Sequence, residues 1–206
     1  MKNYLINHWI KTIKMYKNVS QDKEEVLRYG IEGLYLTVTK TIVIIIIAAI
    51  FNCFLESIIF TILFGLLRSF SHGLHAKKSW LCWIISITTF VFIPLLAKHF
   101  IIYTNIKIIV GLIGTILIFK NSPADTYKRP IVNKKRRLKL KYTSGAISLL
   151  YFIICILINY QFISNCLIYS ILLQNILISP LTYKLFKLPY NNYISYLNKH
   201  PELNNL

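Results

Sequence analysis

Two histidines and one cysteine lie close together in a short polar segment between strongly apolar blocks. The segment reads RSFSHGLHAKKSWLC and contains His72, His75 and Cys82. A cysteine attacks a carbonyl carbon as its thiolate, and a neighbouring imidazole can act as the base that activates it. Because His75 and Cys82 are seven positions apart, a straight helix would separate them by about 10.5 Å along its axis. A Cys–His dyad therefore requires a bend between these two residues.

The same segment contains features that favour such a bend. Gly73 permits unusual backbone dihedrals, and Ser79 is a good N-cap for the apolar helix that follows. With Ser79 as N-cap, Cys82 is the third residue of that helix, near the positive end of its dipole. Lys77 and Lys78 add positive charge there, and all of these features favour the thiolate. The spacing alone leaves one alternative open, namely a lone buried cysteine beside an interfacial histidine.

The composition of the chain places this segment in a membrane protein. Of the 206 residues, 55% are hydrophobic and only 15% are charged, and the apolar residues are grouped in long runs. Segments 80–97, 101–119, 143–160 and 162–183 each approach the roughly 20 apolar residues that a membrane span needs. The block 41–67 is interrupted near its middle, and its second half is short, so we interpret it as a short or re-entrant hairpin. The predicted fold is an all-α polytopic membrane protein with an N-terminal amphipathic helix and six membrane segments.

We predict a single membrane domain over residues 1–206, because no linker long enough to separate a second domain is present. Its predicted parts are an interfacial amphipathic region (1–40), the membrane hairpin (41–67), a catalytic cytoplasmic loop (68–79), a helix pair (80–119), a basic cytoplasmic loop (120–142), a second helix pair (143–186) and a cytoplasmic tail (187–206).

The formal net charge of +17 is explained more simply by the membrane than by nucleic acid. Cytoplasmic loops of membrane proteins are rich in Lys and Arg, and such residues also attract anionic lipid headgroups. The densest basic cluster lies in residues 120–141, where Asp125 is the only acidic residue. We therefore predict a protein of the cell membrane that contacts the lipid bilayer and no nucleic acid. Both termini and the basic loops are expected on the cytoplasmic side.

Several other residues are candidates for supporting roles. Glu56 is an ionisable residue near the turn of the hairpin, which makes it either a functional carboxylate or a residue at the outer headgroup level. His72 either orients His75, binds a loop carbonyl or has no role. Asp125 either orients His75 or caps a turn. Zinc binding by the two histidines and Cys82 lacks a nearby fourth ligand, so we predict no metal and no cofactor.

The segment HGLHAKKSWLC resembles the H-G-x-H-A-x-x-S-x-x-C motif of the accessory gene regulator protein B (AgrB) family, membrane endopeptidases of Gram-positive quorum sensing. A second segment at 122–131, SPADTYKRPI, resembles the A-P-A-D-T-x-x-K-P-I motif of the same family. Ser122 replaces the common Ala and Arg129 replaces the common Lys. The two motifs occur in the family's order, and the length and membrane pattern of the chain also fit.

The resemblance implies a cysteine endopeptidase that cleaves a small signal propeptide and assists its cyclisation into an autoinducing peptide. By position in the motif, Cys82 is the nucleophile and His75 is the general base. The implied partners are a propeptide with an amphipathic leader and an acidic tail, and a second copy of the chain in a homodimer. A non-catalytic peptide transporter or membrane scaffold is the alternative function.

The acidic tail would bind to the basic loops. The residues that we expect to bind this tail are Arg68, Lys77, Lys78, Lys128, Arg129, Lys134, Lys135, Arg136 and Arg137. For most of them a role in membrane topology alone is the competing interpretation.

Overall fold

A computed structural model describes residues 2–16, 21–74, 79–126 and 130–199. Within these residues the regular elements are α-helices and one π-helix. In chain order they are α1 (Lys2–Tyr16), α2 (Gln21–Ile50), α3 (Phe54–Ser71), α4 (Ser79–Ile87), the π-helix (Thr88–Phe92), α5 (Ile93–His99), α6 (Thr104–Asn121), α7 (Lys134–Leu157), α8 (Gln161–Ile178), α9 (Pro180–Leu185) and α10 (Asn192–Lys199).

Six helical stretches of the described chain are long and apolar enough to cross a membrane. They are Gly30–Ile50, Phe54–Ser71, Trp80–His99, Thr104–Asn121, Lys134–Leu157 and Gln161–Ile178. Large apolar side chains on these helices, including Ile46 and Ile113, are exposed on the protein surface, as helices in contact with lipid require. The predicted all-α polytopic fold is confirmed. If all six stretches cross the membrane, the beginning of the first stretch and the end of the last lie on the same side of it.

The hairpin at 41–67 is longer than the sequence suggested. It is formed by α2 and α3, which are joined by a tight turn at Phe51–Cys53, and neither helix is short or re-entrant. The first leg begins well before Thr41, because the Gly30–Lys40 half of α2 continues the same helix. The second leg continues past Leu67 to Ser71, so Arg68 is helical and does not lie in a loop.

Three other predicted boundaries also differ from the structure. The basic loop 120–142 is shorter than expected, because α7 begins at Lys134 and Asn133 caps it by accepting a hydrogen bond from the Arg136 amide. The last span ends at Ile178 because Pro180 starts the separate helix α9. The predicted tail 187–206 contains a further helix, α10.

The centre of the bundle is formed by α3, α6, α7 and α8. Helix α8 packs against the other three and is the most buried of the spans. Close packing depends on small residues: a Cβ at Gly111 would collide with Phe152, and one at Gly114 would collide with Ile171. Because lipid offers apolar helices no hydrophobic gain on association, such close contact between backbones stabilises the bundle through dispersion forces.

The N-terminal helix α1 packs against α2. Ile6 and Ile10 form its buried face, and an ion pair between Lys14 and Glu24 joins the two helices. Trp9 on the neighbouring face is 47% exposed. The amphipathic helix predicted from the sequence is thus present, with one apolar stripe bound to α2.

The third membrane stretch is interrupted by the π-helix between α4 and α5. Pro94 explains the interruption, because it has no amide hydrogen to donate to the carbonyl one turn earlier and its ring crowds that carbonyl. Helix α5 packs against α8, whereas α4 packs against α2 and the π-helix. The π-helix therefore separates a part of the stretch that belongs to the central bundle from a part that lies beside α2.

Candidate active site

Helix α4 carries Cys82. The described part of this helix begins at Ser79, so Cys82 lies in the first turn of that part. The sequence predicts that the helix itself begins there, and the free backbone amides of such a start would favour an anionic sulfur. The side chain of Cys82 is partly buried and its thiol is free.

The nearest polar partner of Cys82 is a lysine from α2. Lys40 Nζ donates a hydrogen bond to Cys82 Sγ at a distance of 2.9 Å, across 42 positions of sequence. Lys40 is partly buried and lies in the middle of the Gly30–Ile50 stretch. The contact follows from the packing of α4 against α2 and brings a cation directly to the sulfur.

Cys82 and Lys40 line a cavity of about 650 Å³. Its walls are mainly apolar and include Phe64 of α3, Phe90 of the π-helix and Leu177 of α8. The cavity therefore lies between α4 on one side and α3 and α8 on the other. A cavity of this size, with apolar walls and few polar groups, is typical of a binding site.

Arg68 supplies a second positive charge to this cavity. Its Nη2 donates to the Leu74 carbonyl at 3.0 Å, and its guanidinium lies 5.9 Å from the centre of the Phe64 ring. Its Nη1 is buried and has no hydrogen-bond partner among the described residues. The Arg68 charge also interacts with Cys82 electrostatically. Arg68 is thus part of the Cys82 surroundings rather than of an exposed loop.

The two sequence motifs meet through their backbones. Gly73 donates its amide hydrogen to the Ala124 carbonyl at 2.9 Å, and Ala124 donates to the Ser71 carbonyl at 3.1 Å. On the other side, Leu74 donates to the Leu177 carbonyl at 3.0 Å, and Gln174 Nε2 donates to the His72 carbonyl at 2.6 Å. The segment His72–Leu74, which we call the anchored loop, is therefore fixed between the second motif and α8.

The backbone of the anchored loop adopts conformations that explain its residues. Gly73 has φ +122°, and a Cβ there would lie 2.9 Å from the Leu177 carbonyl oxygen. His72 has φ 56° and ψ −139°, which is strained for a residue with a side chain. The unusual dihedrals predicted for Gly73 are confirmed, and they end α3 abruptly.

The surroundings of His72 lower the pKa of its side chain, which favours the neutral form. Burial lowers its pKa from the ordinary value of 6.5, and the positive charges of Arg136 and Arg68 lower it further. Backbone groups of Arg68 and Ser69 act in the opposite direction. The influence of Arg136 shows that the basic start of α7 lies near the anchored loop.

Asp125 caps the last helix of the described chain. Its Oδ1 accepts from the Asn192 amide at 2.9 Å and its Oδ2 accepts from the Tyr193 amide at 2.8 Å, both at the beginning of α10. Its carbonyl accepts from the Tyr183 hydroxyl at 2.9 Å, and burial raises the pKa of that hydroxyl. Asp125 therefore caps α10, a role that the sequence did not predict, since it indicated either a contact that orients His75 or a cap on a turn of the 122–125 segment.

Arg137 belongs to the same structural cluster. Its guanidinium lies 3.4 Å from the centre of the Tyr193 ring and 3.6 Å from Asp125 Oδ2. The prediction that Arg137 is a substrate-binding residue is therefore not supported by its contacts, because these attach α10 to α7. Lys134, Lys135 and Arg136 are exposed.

Glu56 is far from this site. It forms an ion pair of 2.5 Å with Lys98, which lies at the end of α5. Glu56 is in the first turn of α3, whereas Arg68 is in the last turn, about 18 Å away along the helix. Of the two interpretations of Glu56, the contacts favour a residue at the outer headgroup level, at the end of the bundle opposite Cys82.

Some predicted site residues lie outside the described residues. These are His75, Lys77, Lys78, Lys128 and Arg129, and the side chain of Ser79. The dyad and the bend at 76–79 therefore stay predictions. The remaining cysteines, Cys53, Cys155 and Cys166, are free and buried, as expected. Within the described ranges, no group of three or more His, Cys, Asp or Glu side chains could hold a metal ion.

The fold and this site define a polytopic membrane protein in which Cys82 lines a cavity together with the cationic side chains of Lys40 and Arg68. A family model described as accessory gene regulator B matches residues 5–178. The chain belongs to this family.

Curated relatives agree with this assignment. An AgrB-like protein of Clostridium acetobutylicum is 30% identical over 91% of this chain and 90% of its own length. The accessory gene regulator protein B of Staphylococcus aureus is 35% identical over 76% of this chain and 83% of its own length. An AgrB-like protein of Listeria innocua is 34% identical over 82% of this chain and 83% of its own length. No solved structure matches the chain.

Sequence reasoning did not identify Lys40 as a site residue. The sequence contains a signal for it, because Lys40 is the only charged residue between Glu32 and Glu56. Ionisable residues within a membrane span are candidates for function by default. The prediction that the first span began at residue 41 placed Lys40 outside the membrane and hid this signal.

Proposed function

We propose that this chain is a membrane cysteine endopeptidase that processes the peptide signal of a quorum-sensing system. Membership of the accessory gene regulator B family supports a role in signal processing. The observation that carries the proposal is the position of Cys82. It lines a cavity of about 650 Å³ together with the cationic side chains of Lys40 and Arg68, whereas the other three cysteines are buried between helices.

The chemistry follows from a thiolate in such a cavity. Cys82 Sγ attacks the carbonyl carbon of a propeptide bond, a C–S bond forms, and the C–N bond breaks. The leaving amine takes a proton from His75, which has accepted it from the thiol. The product is a thioester between Cys82 and the N-terminal part of the propeptide, and the C-terminal fragment is released.

The same thioester provides the route to a cyclic product. A thiol or hydroxyl of the bound peptide gives its proton to His75 and attacks the thioester carbonyl, a new C–S or C–O bond closes the ring, the bond from the carbonyl to Cys82 Sγ breaks, and Cys82 regains its thiolate. This internal nucleophile competes with water because it is held at high effective concentration. The apolar walls of the cavity support the proposal, since they limit the access of water to the thioester.

The substrate would enter from the basic side of the bundle. Arg136 lies near the anchored loop, and Lys134 and Lys135 extend the same exposed cluster. An acidic peptide tail would bind there, with its cleavage site directed towards the cavity. In this proposal the basic side faces the cytoplasm, in agreement with the positive-inside rule.

The decisive experiment compares Cys82→Ser and His75→Ala with the wild-type protein in nanodiscs. The propeptide should bind all three proteins with similar affinity, but the two variants should not cleave it. Mass spectrometry of the wild-type protein should also detect a peptide adduct on Cys82 that hydroxylamine removes, as expected for a thioester. Normal cleavage by Cys82→Ser would overturn the assignment of Cys82 as the nucleophile, and a wild-type protein that binds the propeptide without cleaving it would favour a transporter or scaffold.

A further inference from the structure

Lys40 occupies a position at which a charge is costly. It lies in the Gly30–Ile50 stretch, and it is the only charged residue of α2 between Glu32 and the end of the helix at Ile50. A charged side chain within a spanning helix is unfavourable. Such a residue is expected to have a specific polar partner that offsets part of this cost.

The partner of Lys40 differs from those of two other lysines in membrane stretches, Lys98 and Lys107. Lys98 forms an ion pair with Glu56, and Lys107 donates to the Ser164 hydroxyl at 2.7 Å. Lys40 forms no ion pair with a carboxylate within the described ranges, and its ammonium donates to Cys82 Sγ.

The state of the sulfur decides how strong this contact is. A neutral thiol is a weak hydrogen-bond acceptor, whereas a thiolate is an anion and accepts a charge-assisted hydrogen bond. In a partly buried cavity the attraction between ammonium and thiolate is stronger than in water. The 2.9 Å contact is therefore best satisfied when Cys82 is ionised.

Two further features favour the thiolate over a neutral pair of thiol and amine. Arg68 keeps its charge at all ordinary pH values and lines the same cavity. The helix start that the sequence predicts at Ser79 adds the positive end of a helix dipole at Cys82. Proton transfer from Lys40 to the sulfur would leave this positive potential without an anion, which is unfavourable.

We propose that Lys40 is a catalytic residue that holds Cys82 in the thiolate form. The inference rests on the proposed function, in which Cys82 is the nucleophile, and it adds a residue outside both sequence motifs. Lys40 stays an ammonium throughout and neither accepts nor donates the proton that moves in the reaction. His75 then serves chiefly to deliver a proton to the leaving amine.

The test measures the reactivity of Cys82 without any peptide substrate. Full-length protein in nanodiscs is treated with iodoacetamide over a pH series, and carbamidomethylation of Cys82 is followed by mass spectrometry of its peptide. The variants are Lys40→Met, which removes the charge at similar length, and Lys40→Arg, which keeps it. Lys139→Met is the matched control, because Lys139 is exposed on α7 and the substitution removes the same charge away from the cavity.

The expected result is a change in the pH profile of alkylation. At about pH 7 Lys40→Met should react about tenfold more slowly than wild type, and the two rates should converge near pH 10, where a free thiol is ionised anyway. Lys40→Arg and Lys139→Met should stay close to the wild-type profile. Propeptide cleavage by Lys40→Met should fall in parallel, while the peptide still binds.

An unchanged alkylation profile in Lys40→Met would overturn the inference. Should Lys40→Met fail to fold, the ultraviolet absorbance of the thiolate in wild type, with Cys82→Ser as the reference, gives a second measurement. A signal that titrates only near the pH of an ordinary thiol would also contradict the role of Lys40. The two proposals can fail separately, since alkylation reports on Lys40 and Cys82 even if Cys82→Ser still processes the propeptide.

Discussion

The residues of the anchored loop have little freedom to change. Hydrogen bonds from both the second motif and α8 hold its backbone, and Gly73 approaches the Leu177 carbonyl more closely than any Cβ allows. His72 has a positive φ of 56°, a backbone conformation that costs free energy for a residue with a side chain. The next residue after the loop is His75, so the geometry of the loop constrains the position of this predicted general base.

Gly73→Ala should therefore damage both stability and activity. The substitution introduces a Cβ into a contact of 2.9 Å and forces an alanine into φ +122°, which together should cost about 1–3 kcal/mol. Gly65→Ala on α3 is the matched control, because a Cβ there meets nothing within 4 Å. Thermal unfolding in detergent should show a lower Tm for Gly73→Ala only. Equal Tm values for Gly73→Ala and wild type would contradict the backbone geometry described here.

His72 should make the protein less stable in mild acid. Its folded-state pKa is lowered from 6.5, so the unfolded chain binds a proton more readily, and stability is lost as pH falls through about 6.5. His72→Asn removes the titration, and asparagine tolerates a positive φ. The Tm of the wild type should fall more than that of His72→Asn between about pH 7.5 and about pH 5.5. Parallel Tm curves would show that His72 does not contribute to the acid sensitivity.

Single residues differed in how far the sequence could place them. The prediction of a helix start at Ser79 depends only on local sequence, and it agrees with the described part of α4, which begins there. The Lys40–Cys82 contact joins residues 42 positions apart, and it depends on the packing of α4 against α2. No local pattern specifies such packing, although a lone lysine in an apolar helix indicates that some partner exists.

At the scale of elements, the basic segment divides into two functional parts. Lys134, Lys135 and Arg136 are exposed near the start of α7, whereas Arg137 attaches α10 through Tyr193 and Asp125. Sequence alone grouped these four residues because they are adjacent and share a charge. Their helical positions separate them, since successive residues of a helix point about 100° apart.

Neutralising the exposed cluster should weaken peptide binding without slowing the chemistry. The triple variant Lys134→Gln, Lys135→Gln, Arg136→Gln should raise KM for an acidic-tailed propeptide and reduce its salt dependence, while kcat stays nearly constant. Arg137→Gln should instead increase hydrogen exchange at the start of α10. Steady-state kinetics over a salt series separates these effects. An unchanged KM in the triple variant would leave the cluster with a role in membrane topology alone.

The lengths of the helices were only partly predictable. Long apolar runs identified the later spans, because hydrophobic length is a property of the sequence itself. The same criterion failed for α2 and α3, which continue through Lys40 and Arg68, beyond the predicted limits of the apolar block 41–67. These charged residues continue the helices because the Cys82 cavity and the Leu74 carbonyl provide them with polar partners.

At the scale of the whole molecule, six spans and the distribution of charge give one consistent orientation. The basic segments follow α3, α6 and α8 or precede α7, all at the Cys82 end of the bundle. The connections 51–53, 100–103 and 158–160 at the other end contain no charged residue. This asymmetry predicts that the Cys82 end faces the cytoplasm.

Single cysteines in a background without native cysteines can test this orientation. Tyr103→Cys and Tyr160→Cys lie in the uncharged connections at positions that are 72% and 63% exposed. In intact cells both should react with an impermeant maleimide. Lys139→Cys and Lys184→Cys, which are exposed at the opposite end, should react only after the cells are opened. Labelling of Lys139→Cys or Lys184→Cys in intact cells would reverse the predicted orientation.

The π-helix has a consequence for the lipid environment. Cys82 and Lys40 lie on α4 and α2, whereas the anchored loop is fixed to α8 in the central bundle. A change in bilayer thickness is accommodated by helix tilt, and tilt is set by packing against neighbouring helices. Tilting α2 and α4 about the π-helix would slide the sulfur relative to the anchored loop. For the proposed function we therefore expect the acyl-chain length of the surrounding phospholipids to change the rate of propeptide cleavage, so that membrane composition would regulate signal production.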